Sequence, residues 1–224
     1  MKYKPYNLED VKKASAENKF TVISTFAGGG GSSTGYRLAG GNILCINEFV
    51  EEARKTYKEN YPDTPIMPDD IKQLKGENFL ETAGIQKGEL DILDGSPPCS
   101  AFSMCGTLGK AGSKHSDGWG KTKKYSTGKI VENIEDLFFE YVRIAKDIKP
   151  KVIIGENVAG LDAGEAKQKR NQIDKAIGEI GYDVSYKILN AAYFGVPQSR
   201  RRLFFIGIRE DVSVAIGLSF MNIG

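Results

Sequence analysis

The chain has 224 residues, of which 40% are hydrophobic and 10% aromatic, enough for one folded α/β domain with a sizeable core. Its 31 Lys plus Arg against 29 Asp plus Glu leave a formal charge of +2, so no global basic field announces a polyanion partner. Three cysteines without CxxC spacing argue against a disulfide framework and a metal site, and a polar start without any run of about 18 apolar residues argues against export and membrane insertion and for the cytoplasm.

Residues 1–20 read as a polar leader. Apolar β-branched runs then alternate with amphipathic stretches, the pattern of an α/β doubly wound, mostly parallel sheet covered on both faces. Strands are predicted at 21–26, 42–47, 90–94, 152–155, 184–189 and 203–208, and helices at 33–38, 50–60, 134–148 and 166–180. The first strand feeds Phe26, Ala27 and the run Gly28 to Gly31, then a helix. Glycine lets a backbone approach a ligand closely, and a helix start offers unpaired N–H groups, so this turn suits a nucleotide-type cofactor. The dinucleotide and P-loop fingerprints are absent. Gly31-Ser32-Ser33-Thr34-Gly35 matches the GxSxG elbow of serine hydrolases, but the lone histidine, His115, lies in a Gly-Ser-Lys stretch rather than at a strand end.

Glu48 ends the second strand about 20 residues beyond the glycines, where doubly wound folds place a carboxylate for ribose hydroxyls. Phe49 beside it suits stacking on a base or a place in the core. The third strand runs into Ser96-Pro97-Pro98-Cys99-Ser100: two prolines stiffen the chain and set a cysteine at the carboxyl edge of the sheet, where a fixed nucleophile belongs. Residues 100–129 lack periodicity and read as a long loop, whose lysines at 110, 114, 121, 123, 124 and 129 face the single acid Asp117. In the helix at 134–148, Leu137, Phe138, Tyr141, Ile144, Ala145 and Ile148 recur near 3.6 residues and form a core stripe. Arg200, Arg201 and Arg202 make a second basic cluster.

From Phe26 to Arg209 the chain resembles the C5-cytosine DNA methyltransferase family, motif by motif and in order. FAGGGG (26–31) resembles its cofactor turn, Asn47-Glu48 its ribose-binding acid, Asp70-Ile71 its adenine-contacting pair and SPPCS (96–100) its nucleophile loop. LFFE (137–140) resembles the helix bordering the cofactor, Glu156-Asn157-Val158 the ENV motif and GVPQSRRR (195–202) the QxRxR motif. The resemblance implies S-adenosylmethionine as cofactor, S-adenosylhomocysteine as product and double-stranded DNA as substrate. It assigns the cofactor to Phe26, Ala27, Gly28, Gly30, Gly31, Glu48, Phe49, Asp70, Ile71, Ser96, Pro98 and Leu137. It implies that Cys99 adds to carbon 6 of a flipped cytosine, that Glu156 protonates N3, and that Arg202 and Arg200 surround the base. Ser100, Ser103 and Gln198 would contact DNA or support the catalytic loop, and the lysine-bearing 100–129 segment would close over the base and meet phosphates.

Two positions depart from the family pattern: Ser24 stands where an Asp is usual and Ser100 where a Gln is usual. The catalytic domain is expected at 21–209, with 210–224 a tail in place of a target-recognition domain and a returning helix. A truncated chain, one subunit of a split enzyme with a second chain, and a remnant that binds cofactor or DNA without turnover all stay open. So do tRNA as an alternative substrate and a cognate restriction endonuclease as a partner of a bacterial or phage-encoded enzyme.

Overall fold

The computed structural model describes residues 5–98, 122–124, 130–132, 136–164 and 166–217. Cys99, Ser100 and Ser103 lie outside them, as do most of the predicted 100–129 loop and residues 134–135 of the predicted third helix. The strands are β1 (Phe20–Thr25), β2 (Gly41–Asn47), β3 (Ile66–Met67), β4 (Ile92–Gly95), β5 (Thr122–Lys124), β6 (Ile130–Glu132), β7 (Val152–Val158), β8 (Tyr182–Asn190) and β9 (Arg201–Arg209). The helices are α1 (Leu8–Ser15), α2 (Gly31–Leu38), α3 (Glu51–Asn60), α4 (Gly76–Ala83), α5 (Leu137–Ile148), α6 (Ala166–Glu179) and α7 (Glu210–Ile216).

Seven strands form one sheet in the order β3-β2-β1-β4-β7-β9-β8. Every pairing is parallel except those of β9, which runs against both β7 and β8. The order reverses between β1 and β4, and at such a switch point the loops leaving the two strands diverge and open a crevice at the carboxyl edge. The central strands are covered on both faces, which is why β1 is buried at four consecutive positions, Val22 to Thr25, rather than at alternate ones. Val22 packs with Val11, Ile43, Ile46, Tyr57 and Tyr61 on the α1–α3 side, while Ile23 packs with Leu93, Ile144 and Ile153 on the α4–α6 side.

α5 forms because its apolar positions recur on one face, and that face is fully used: the six predicted stripe residues and Val142 are all buried. Its docking depends on Gly95, where a Cβ would meet the Tyr141 ring at 2.7 Å. Tyr141 also donates its hydroxyl to the Leu93 carbonyl at 2.8 Å, and Phe138 meets Phe205 edge to face at 5.3 Å between ring centres. Each such ring, fully withdrawn from water, contributes about 1.5–3 kcal/mol.

Several elements differ from expectation. The polar leader contains α1, started by an Asn7–Asp10 capping box, with Val11 buried against β1 and β2. The run read as loop up to residue 129 carries β5, which pairs antiparallel with β6. The short β3, α4 and α7 were not expected from periodicity, and α7 occupies the start of the predicted tail, leaving Val214 and Ile216 exposed. β7 and β9 extend past their predicted ends, because their ladder continues to the pair Val158–Arg202. Among the described residues, no helix is long and apolar enough to cross a membrane, and no cluster of His, Cys, Asp and Glu could hold a metal ion.

Candidate active site

The carboxyl ends of β1, β2 and β4 surround a cavity of about 280 Å³. Nine of the twelve residues assigned to the cofactor line it: Phe26 and Gly28 from the glycine turn, Glu48 and Phe49 after β2, Asp70 and Ile71 before α4, Ser96 and Pro98 after β4, and Leu137 at the start of α5. Three do not. Ala27 is buried in the core on the α1–α3 side. Gly30 works through shape: it sits at φ +94° as the N-cap of α2, and a Cβ there would come within 3.0 Å of the Tyr57 ring. Gly31 opens the first turn of α2 without touching the cavity. Asn47, Val50 and Ala53 complete the lining and were missed, because apolar or amide residues at an element boundary carry no sequence signature.

The cavity wall is held by short polar ties. Glu48 accepts from Gly28 N and Val50 N, each at 2.7 Å, so its carboxylate clamps the glycine turn to the chain entering α3 while a lone pair on each oxygen stays available. Asn47 donates to the carbonyls of Met67 and Asp69 and so fixes the approach to Asp70. Phe26 adopts φ +53°, a left-handed conformation that a bulky side chain takes only when its surroundings impose it. Ser96 Oγ donates to the Phe26 carbonyl at 3.2 Å, tying the loop after β4 to the glycine turn.

A second cavity, of about 330 Å³, lies beyond β7 and is lined by Glu156, Leu189, Ala191, Phe194, Val196, Arg200, Arg202 and Phe204. The β7–β9 ladder sets Glu156 opposite Phe204, and Arg202 stands two positions away on β9. Glu156 Oε1 lies 2.9 Å from Arg202 Nε and 3.5 Å from Arg200 Nη2. Burial pushes the Glu156 carboxyl above the usual range, and the charges of Arg202 and Arg200 draw it back only partly. Gln198 does not reach this cavity; it is exposed on the preceding turn, where its carbonyl accepts from Arg200 N.

Asn157 ties the loop after β4 to β7. Its buried amide donates to the Pro97 carbonyl at 3.3 Å, and Pro98 lines the first cavity. The chain leading to Cys99 is thus held between the wall of the first cavity and the strand that carries Glu156. The hydrolase alternative fails on burial: Ser33 is 0% exposed within α2, and its Oγ has no hydrogen-bond partner among the described residues.

The chain is similar to known proteins in sequence and in fold. The chain is 34% identical over 201 residues to the type II methyltransferase M.NgoPII of Neisseria gonorrhoeae, covering 88% of this chain and 50% of that protein. It is 35% identical over 191 residues to M1.HphI of Haemophilus parahaemolyticus, covering 85% of this chain and 46% of the relative. The chain therefore spans about half the length of these curated relatives. Among solved structures, one described as an Escherichia coli prophage DNA modification methyltransferase superposes with a TM-score of 0.68 at 23% identity, over 87% of this chain and 48% of that one, a likeness of fold. Residues 20–220 match the family description "C-5 cytosine-specific DNA methylase", and with that match spanning both cavities, the chain belongs to the C-5 cytosine-specific DNA methylase family.

Proposed function

We propose that this chain carries the catalytic half of a DNA (cytosine-5)-methyltransferase, which transfers a methyl group from S-adenosylmethionine to C5 of a cytosine in double-stranded DNA and yields S-adenosylhomocysteine. The observation that carries the reading is the Asn157–Pro97 hydrogen bond, because it anchors the residues before Cys99 between a nucleoside-sized cavity and the half-buried Glu156 carboxyl group. The donor set of the first cavity fits the cofactor. Glu48 retains acceptor capacity for ribose hydroxyls, Phe26 and Phe49 offer ring faces to an adenine, and Asp70 supplies an acceptor next to the apolar Ile71. Bound there, S-adenosylmethionine supplies an electrophilic methyl group.

Carbon 5 of cytosine is a poor nucleophile until the ring is activated. In this proposal the Cys99 thiolate forms a bond to C6, the C5–C6 electron pair shifts toward C5, and the charge reaching N3 is met by a proton from Glu156. The raised Glu156 pKa keeps that proton available closer to neutrality than on a free glutamate. Arg202 and Arg200 orient Glu156 and offer donors to the base O2. C5, now enamine-like, is the atom methylated, and loss of its proton expels the Cys99 thiolate.

A stacked cytosine is out of reach, so the base must leave the duplex, with the lysine-bearing 100–129 segment, together with Ser100 and Ser103, proposed to close over it. Reading a particular DNA sequence needs base-edge contacts in a groove, and the relatives are about twice as long as the stretch they share with this chain. That task is assigned to protein outside the shared stretch, in the same chain or a second one. A cytoplasmic place in a bacterial or phage restriction-modification system, with a cognate endonuclease, belongs to the same reading.

DNA carrying 5-fluorocytosine tests it, because C5 then has no proton to lose and the adduct persists. The full-length protein, alone and with any companion chain encoded beside it, should form a denaturant-resistant adduct in the presence of cofactor, and Cys99→Ser should form none. Absence of an adduct from the unaltered protein would overturn the role of Cys99. Greater transfer of labelled methyl groups to tRNA than to duplex DNA would overturn the DNA assignment.

A further inference from the structure

Asp94 is 7% exposed, sits on β4 at the switch point and does not line either cavity. Its in-register partner on β1 is Ser24, the position where the family usually has an aspartate. Ser24 Oγ donates to Asp94 Oδ2 at 2.7 Å, Ser32 Oγ donates to the same oxygen at 2.5 Å, and Tyr36 OH donates to Oδ1 at 3.1 Å. A fourth tie runs from Thr25 Oγ1 to the Asp94 carbonyl at 3.1 Å. Three hydroxyls aimed at one carboxylate satisfy it without a cation, and Ser32 belongs to the first turn of α2, where the helix dipole favours negative charge.

These partners are the frame of the first cavity. Ser24 lies two residues before the strained Phe26, Ser32 and Tyr36 set the rotation of α2 behind the glycine turn, and Ser96, two residues after Asp94, bonds the Phe26 carbonyl. We propose that Asp94 is a positioning residue for the cofactor pocket and that its carboxylate serves from β4 the frame that an aspartate at the Ser24 position of β1 would otherwise serve. Adjacent strands lie about 4.8 Å apart and in-register side chains on one face converge, so either strand can deliver the carboxylate to the space between them. The reason a carboxylate is kept there is geometric: a small or apolar side chain would leave the Ser32 and Tyr36 hydroxyls unpaired, free α2 to rotate, and release Phe26 from its left-handed conformation.

This inference rests on the first cavity being the cofactor site. Calorimetric titration of S-adenosylhomocysteine into the unaltered protein, Asp94→Ser, Asp94→Asn, Ser24→Asp and the exchanged pair Ser24→Asp/Asp94→Ser tests it, with melting curves of each ligand-free protein. Asp94→Ser should bind about ten-fold more weakly, equivalent to about 1.4 kcal/mol, and the exchanged pair should recover to within about three-fold of the unaltered protein. Ser24→Asp alone, which crowds two carboxylates into one buried space, should melt lower and bind more weakly than the exchanged pair. If Asp94→Ser does not fold, the near-isosteric Asp94→Asn replaces it in the comparison. Lower melting with unchanged affinity in the folded variants would mean a purely structural role and overturn the inference, as would an exchanged pair no better than Asp94→Ser. Failure of the unaltered protein to bind S-adenosylhomocysteine would overturn the cofactor reading and this inference together.

Discussion

Glu156 shows how one side chain can be both legible and incomplete in sequence. The ENV resemblance marked it as a proton donor, but its acidity is decided by burial against the nearby guanidiniums, and burial prevails. Two consequences can be measured. Single-turnover methylation should slow as pH rises through the raised Glu156 value, since the protonated form is the reactive one; Glu156→Gln should be about 10²–10⁴-fold slower and lack that dependence. The stability effect has a definite sign as well. A carboxyl whose folded pKa lies above its unfolded value favours the fold most below the unfolded value, and that contribution fades as pH rises through the folded one. Melting curves of Glu156→Gln against the unaltered protein should therefore shift in favour of the variant as pH increases. Asn157, by contrast, carried no role in the sequence reading; only the approach of β7 to the loop after β4 makes its amide a tether for Pro97.

Among the elements, the glycine turn and α5 were predicted for sound reasons and still needed correction in detail. Four consecutive glycines look alike in sequence, yet Gly28 lines the cavity while Gly30 is required by φ +94° and the nearby Tyr57 ring. Gly30→Ala should cost about 1–3 kcal/mol, read as a lower melting temperature, with any change in cofactor affinity secondary to the shift of the turn. The α5 stripe was legible because six of its seven buried positions repeat near helical spacing. Its polar anchor was not: Tyr141→Phe removes the donor to the buried Leu93 carbonyl and should cost about 1–2 kcal/mol by denaturant titration without altering the cavity lining. α1 escaped notice because Val11 is its only buried residue, too little for a period. β9 looks like any other apolar strand, and its reversed direction follows from pairing with the preceding β8 on one side and the distant β7 on the other.

On the scale of the whole molecule, the cofactor cavity should couple to stability. A ligand that binds only the folded state at about 100 times its dissociation constant adds about 2.7 kcal/mol, so S-adenosylhomocysteine should raise the melting temperature of the unaltered protein. Glu48→Ala should abolish most of that rise, because the same carboxylate clamps Gly28 and Val50 and faces the cavity. An equal rise in the variant would sever Glu48 from the ligand. Pro98 lines the first cavity and Pro97 is tied to Asn157, the neighbour of Glu156 in the second, so the loop after β4 links the walls of the two cavities across one sheet edge.

By itself the sequence determined the class of fold and the strand-turn-helix origin of the first cavity, and it named candidate residues for the chemistry. Those follow from local periodicity, from the few residue types that tolerate tight turns or donate protons, and from motif order. The tertiary structure alone decided which glycine touches the cavity, that Ser33 is buried, that β9 runs backwards to bring Arg202 to Glu156, and that Asp94 stands against Ser24. The last two depend on pairing between strands roughly 45 to 70 residues apart, and contacts of that separation are set by packing and long-range hydrogen bonding, to which no local pattern of residues responds.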